Sequence, residues 1–523
     1  MRWTWVLVAL STATAWAQPA EHGTAQRVSV PTVPAFEFRA GAPGTQGVRE
    51  QMLIGEKGNE AKVSGYVVWM YSCVDDVRQA KETVAQAQKR IDDDPTLCER
   101  PKFYLADDPH TPVEQGLWVV DVARQWNRME MERLNKKDRA DRTAYPDRCD
   151  KNPTWKSGYC FPLAVGDYVT VTGIWETRSP HSEANSDGLI VFKNVVKASP
   201  PASIKLIAPT QRASTVKAQV VKRWNVATPT PQRRADSERL RAEARAAVAK
   251  QDFKKASEKY LASVQAWPGN QAASYELGSV EMALKDWLGA FAAFDGALGI
   301  QPDQPMYALM AGRAEYEFVT LRAKTQQANK VNKRVEEVIL DATSVDFSPA
   351  ESYFRLAVSL DAQLWRAHYY LGRIARDAVR VKEAATEFSL ALQDGPSEGA
   401  PWIALCALYR KWGYADLAQR VAEQGAQIVV GDRDASDIYY LLGLTHDDQR
   451  HDVPALEAFD RALQLDANNM KARFQRGQVL YRLKRYAEAK ADLDAYVASP
   501  AHEELPAQQA TKMLMDIATK KPR

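Results

Sequence analysis

The sequence is poor in the features that mark an enzyme, a membrane protein or a polyanion binder. Its 523 residues include only five cysteines and seven histidines, and 69 Lys and Arg against 66 Asp and Glu leave a formal charge of +3. So small an excess argues against a surface dedicated to polyanions. There is no Gly-x-x-x-x-Gly-Lys loop to cradle phosphate, no Gly-x-Ser-x-Gly elbow, no His-Glu-x-x-His and no Cys-x-x-Cys. His446 and His451, five apart at an expected helix end, are poorly spaced to share one helical face as metal ligands. No catalytic residue, metal or cofactor is therefore assigned, and the chain reads as a protein that binds. Long hydrophobic runs are missing too: beyond residues 3–10 nothing approaches the roughly 20 apolar residues that span a bilayer.

That first run has its own meaning. Met1 and Arg2 precede an apolar stretch from Trp3 to Leu10, and Ala15-Trp16-Ala17 supplies the small residues read by signal peptidase. The expectation is a secretory signal over 1–17, cleaved before Gln18, and a periplasmic or secreted mature protein. No cysteine follows the cleavage site, which argues against a lipid anchor. Cys73, Cys98, Cys149 and Cys160 all precede residue 165 and lack the spacing of a zinc site. In an oxidising compartment they read as two disulfides. Three connectivities are allowed, and Cys73 with Cys98 and Cys149 with Cys160 is preferred because each pair closes a local excursion. Cys406 occupies a small-residue position and reads as a buried free thiol.

The second half of the chain repeats itself. Ala290, Phe294, Ala297 and Pro302 lie 12, 16, 19 and 24 residues beyond Gly278 of the pair Leu277-Gly278. The spacing returns at Leu371-Gly372 with Ala384, Phe388, Ala391 and Pro396, and at Leu442-Gly443 with Ala455, Phe459 and Ala462. Such small and large positions let two helices touch closely and stack on the next pair, and the region resembles the tetratricopeptide repeat family. Weaker copies surround Ala256 and Tyr260, Gly312, Leu405-Cys406 and Gly477. About 26 residues more than the family spacing, within an insertion at 316–348, separate Gly312 from the second helix of its unit, and the insertion is expected to form longer, projecting helices. The expected array is seven units over 237–503, with residues 504–523 as a covering helix and tail.

Two seams divide the remainder. Residues 18–59, with scattered Pro, Gly, Ala and Thr, read as a flexible leader, and residues 199–236 as a Pro-rich basic linker. Between them, residues 60–198 alternate as strands, with a helix expected within 74–101 and a charged helical stretch over 124–142. Val63, Gly65 and Val67, the run Phe103-Tyr104-Leu105-Ala106-Asp107, and Val165 through Gly173 are similar to the nucleic-acid-type OB family. The fold class expected is thus multidomain: an N-terminal all-β OB-like barrel with helical insertions, then an all-α tetratricopeptide solenoid.

Each resemblance implies its own site. On the inner face of a tetratricopeptide array, residues at i, i+4 and i+7 of the first helix align, which brings together Arg366, Tyr370 and Arg373 with Tyr369 and Arg376 beside them. Tyr275, Tyr440, Phe474, Gln475 and Gln478 extend that face. Arginine interleaved with tyrosine suits an acidic peptide or a C-terminal carboxylate. On an OB-like barrel the candidates are Tyr104 and Trp118 as stacking residues and His181 and Asp187 in the rim loop, for an oligosaccharide or single-stranded nucleic acid. The two readings are therefore an exported, non-catalytic scaffold that binds a protein through its solenoid, and a ligand-binding barrel with the repeats as spacer or oligomerisation surface.

Overall fold

A computed structural model of the chain describes residues 28–36, 38–79, 82–94, 97–111, 113–126, 128–135, 147–150, 159–178, 185–201, 206–207, 228–335, 338, 340, 342, 345–500 and 504–519. The expected signal segment and its cleavage site lie outside these residues, as do His181, the side chain of Asp187 and the linker cations Lys205, Arg212, Lys217, Lys222 and Arg223.

The C-terminal region is all helical. Among the described residues seven helix pairs follow one another, from Pro231–Ala249 and Phe253–Ala266 to Met470–Arg482 and Tyr486–Ala498, and Glu504–Thr519 packs on the last pair. The Gly-Phe spacing has a direct cause. A Cβ built on Gly278, Gly372 or Gly443 would fall 2.7, 2.5 or 2.5 Å from the ring of Phe294, Phe388 or Phe459. Only hydrogen at that position lets the second helix approach and bury its phenylalanine, and each of these three rings is fully buried. Such burial contributes roughly 1.5–3 kcal/mol per ring.

A polar clamp joins successive pairs. The Asn270 side-chain amide donates to Ser237 Oγ at 3.0 Å, and Asn469 donates to Ser436 Oγ at the same distance. Each Asn also caps its own helix by accepting from the backbone N–H of Ala273 or Ala472. The first helix begins at Pro231 behind a Thr230 cap, earlier than the linker boundary at 236, because Pro is well placed at the first helical position. The insertion departs from expectation. Pro305–Val331 runs 27 residues, but its partner Ser348–Leu360 is of ordinary length. Asn332 turns left-handed to end the long helix, and Pro349 sets the start of the next, so of the two helices of this unit only the first is lengthened.

The N-terminal domain closes a barrel. Glu60–Met70, Phe103–Ala106, Leu117–Val120, Tyr168–Arg178 and Asn185–Lys197 are its first to fifth strands. The first pairs with the second and fourth, the second with the third and the fourth with the fifth, all antiparallel; the third runs parallel to the fifth. The register opposes Val63 to Val171, Leu105 to Leu117 and Val119 to Ile190, and these residues fill one core with Phe103 and Trp175. The helix expected in the insertion is Val84–Asp93, capped by Thr83. The stretch 124–142 is not one helix. Arg124–Gln125 pairs as a strand with Arg148–Cys149, Arg124 binds Glu130, and a short helix, Arg128–Arg133, follows. Tertiary pairing here overrides helix propensity.

Cys73 and Cys98 are bonded, with Cα atoms 5.2 Å apart, and so are Cys149 and Cys160, at 5.7 Å. Reduction is expected to destabilise this domain by about 2–4 kcal/mol per bridge. Denaturant unfolding with and without reductant measures it, and an unchanged midpoint would contradict it. Cys406 is buried and its thiol is pushed up to about 12 by desolvation, so alkylation there should require unfolding.

Residues 28–54, which composition assigns to a flexible leader, are folded. Phe38–Arg39 pairs with Leu206–Ile207, and Gln46–Gly47 runs parallel to the first barrel strand. The helix Val48–Ile54 then lies between barrel and solenoid: Val48 joins the barrel core, Leu53 the solenoid core, and Met52 packs on both.

Candidate functional site

First helices of neighbouring pairs touch one another from Pro305–Val331 through Trp365–Asp377, Gly399–Lys411 and Asp432–Asp448 to Met470–Arg482. They form one continuous face. Its third and fourth units carry a linked system of rings and guanidinium groups. Tyr370 stacks flat on Phe354, with centroids 4.9 Å apart and planes 2° off parallel, and meets Tyr316 edge-on at 5.7 Å. Tyr316 in turn stacks on Phe347 at 5.0 Å. The Arg373 guanidinium lies over three rings, 4.8 Å from Tyr316, 5.4 Å from Tyr370 and 5.8 Å from Tyr369. Such placement holds a cation by its attraction to the ring faces while leaving its N–H fork available.

Arg366 lies over Trp365 at 4.4 Å and faces Glu398 at 3.8 Å. Burial lowers its pKa; Glu398 opposes that, and the like charge of Arg313 adds to the lowering. Arg313 follows Gly312 as Arg373 follows Gly372, so the two are equivalent positions in adjacent units. The Nε of Arg313 is buried with no hydrogen-bond partner among the described residues. Tyr275 continues the face toward the N-terminal units, 5.1 Å from Tyr307.

Other candidates are placed differently. Arg376 is exposed and its Nη2 lies 2.7 Å from Asp377. Tyr440 is half-buried beside Phe459. Phe474 is a core residue, 5 % exposed and 4.9 Å from Tyr496. Gln475 is half-buried, while Gln478 donates to Gln509 of the last helix at 3.5 Å. The covering helix thus takes up the C-terminal end of the face, since Tyr481 also bonds to Asp516. Arg313, Tyr307 and Tyr316 escaped the sequence reading although the residue after each repeat glycine was a usable signal.

On the barrel, Tyr104 and Trp118 do come together, stacked at 6.4 Å and 9°, with Trp69 edge-on to Tyr104 at 5.7 Å. Trp118 is 8 % exposed and its Nε1 has no partner among the described residues. The rings of His446 and His451 lie 6.3 Å apart. Among the described residues no group of three or more His, Cys, Asp or Glu could hold a metal ion, and no helix is long and apolar enough to cross a membrane.

Helix pairs of this kind, closed by a Gly-Phe contact and stacked through their first helices, are tetratricopeptide repeats. The family's sequence pattern matches residues 241–305, 346–399 and 454–503, and the chain therefore carries tetratricopeptide repeats joined to an N-terminal domain built on a mixed sheet. No curated protein matches the sequence. Similar solved structures include a tetratricopeptide repeat protein from Parabacteroides merdae, 13% identical, covering 54% of this chain and 99% of its own, with a TM-score of 0.38. Pseudomonas aeruginosa pilF is 16% identical, covering 46% of this chain and 96% of its own, at 0.35. YrrB, a repeat protein with an unusual peptide-binding site, is 18% identical, covering 42% of this chain and 98% of its own, at 0.30.

Proposed function

We propose that this is an exported, non-catalytic scaffold that holds a protein or peptide partner along the first-helix face, with carboxylates of the partner meeting Arg366 and Arg373. The observation that carries the reading is Arg373, whose guanidinium is held over tyrosine rings while no carboxylate among the described residues pairs with it. A carboxylate brought by a partner would gain charge-assisted hydrogen bonds at a group already ordered and partly desolvated. Export is supported by the Met1–Ala17 signal pattern and the two bonded cysteine pairs.

The face can be tested in the full chain. A photo-crosslinking residue at Tyr369 or Tyr275 is expected to capture the partner in an extracytoplasmic fraction. The same residue at Leu261 or Leu288, exposed on second helices, is expected to capture none. Capture from the second-helix positions alone would move the site off this face.

A second reading is supported by the barrel. Its strand order fits an OB-type fold, and Trp69, Tyr104 and Trp118 group aromatic rings of the kind on which oligosaccharides or single-stranded nucleic acids stack. Retention of a glycan or oligonucleotide by the full chain, lost in Tyr104→Ala, would favour it.

A further inference from the structure

A stacked repeat array needs only its own neighbouring units to close its core, yet this one also buries two side chains from the leader. Phe36 is 0 % and Phe38 2 % exposed. Phe36 meets Tyr414 edge-on at 5.2 Å and lies 6.5 Å from Tyr409; Phe38 lies 5.7 Å from Trp412. Tyr409 and Trp412 end the first helix of the fifth pair, and Tyr414 caps the second. The recess therefore sits at the turn between the two helices of the fifth pair.

Two local features are shaped for this contact. The backbone of Phe36 is left-handed, with φ at 55°, a conformation a bulky residue adopts only when its surroundings fix it. Gly413 makes the turn at φ +73°, and a Cβ there would fall 2.1 Å from the Arg49 guanidinium. The positive φ is what suits glycine there, and the Arg49 guanidinium fills the space beside it. Just beyond, Asp107 of the barrel accepts the backbone N–H groups of Val48 and Arg49 at 2.6 and 3.1 Å and so caps the helix whose Leu53 is buried in the solenoid.

We infer that Tyr409, Trp412 and Tyr414 form a second peptide-binding site on this chain, which takes a segment bearing two aromatic side chains two residues apart and is filled in cis by Phe36 and Phe38. The cis segment adds to what holds the barrel against the solenoid, beside Leu53 and Met52 of the following helix and the hydrogen bond from Lys512 Nζ to the Asp75 carbonyl at 2.7 Å.

The test uses full-length protein and a fluorescein-labelled synthetic peptide of residues 28–40. In the Phe36→Ala/Phe38→Ala variant the site is vacated, and the peptide is expected to bind it saturably by fluorescence anisotropy. Wild-type protein, with the site filled, is expected to bind at least tenfold more weakly, as is the vacated variant carrying Trp412→Ala. Equal binding to wild type and variant, or no binding to a variant whose helical circular dichroism is intact, overturns the inference. Should the double variant not fold, Phe38→Leu is measured by amide hydrogen exchange. Faster exchange over 48–54 with no change over 365–377 is expected, and no change in either overturns it.

Discussion

Replacing Glu351 by alanine is expected to lower the unfolding free energy by about 3–5 kcal/mol, the effect typical of stranding a buried charge. Glu351 is 3 % exposed. Its Oε2 lies 2.8 Å from Nη2 of Arg380, itself 5 % exposed, and its Oε1 accepts from Arg355 at 2.9 Å. Arg355 and Arg380 both reach on to Glu383, at 2.8 and 3.0 Å. The four residues tie the helix Ser348–Leu360 to Val381–Asp394. Without Glu351, the Arg380 guanidinium stays buried with its main counter-charge gone. Replacing Glu351 and Arg380 together by apolar residues of similar volume should be far milder, because no charge is then left behind. Urea unfolding followed by circular dichroism measures both, and a loss below about 1 kcal/mol for Glu351→Ala would mean that water reaches Arg380.

The same network sets a direction with pH. Burial pushes the Glu351 pKa up, but the hydrogen bonds and charges of Arg380 and Arg355 outweigh it, and the net shift is below 4.5. A carboxyl with a depressed folded pKa stabilises fully above its unfolded value, and the contribution is lost as pH falls through the folded value. Glu351→Gln should accordingly flatten the acid limb of the stability profile below about pH 4.5.

The second large effect is on binding. Arg313→Ala with Arg373→Ala is expected to weaken a partner held on the first-helix face by roughly 2 kcal/mol or more, since central arginines set among aromatics dominate such interfaces. Arg376→Ala should change affinity little, because Arg376 is exposed and already paired with Asp377. Titration calorimetry against the captured partner separates them. Equal losses from all three positions would indicate a diffuse charge effect instead of a site.

Much of the helical half was legible in the sequence, for a reason that Leu277, Gly278 and Phe294 illustrate. The contact between a glycine and a phenylalanine 16 residues later lies within one helix pair, so its spacing repeats along the chain. The unit of Gly312 was harder to read because its insertion displaces Phe354, and Arg313 was overlooked with it. Phe474 and Gln478 have the right positions for the inner face, but Phe474 packs on Tyr496 of its own unit and Gln478 meets Gln509 of the last helix, a contact the unit's own spacing does not encode.

The sequence by itself determined the helix pairs and the strands of the barrel, because each depends on residues close in the chain or on a period set by one helix or strand, and it left the cysteine pairing as a preference among three connectivities. Tertiary structure alone decided where the leader goes and which arginines pair with a carboxylate among the described residues. Phe36 and Phe38 carry no periodic signal, and their partners Tyr409, Trp412 and Tyr414 are far away along the chain though in contact in space. The charge at Arg366, Arg373 and Arg376 reads identically in sequence, and only packing sets one against Glu398, one over three tyrosines and one against Asp377.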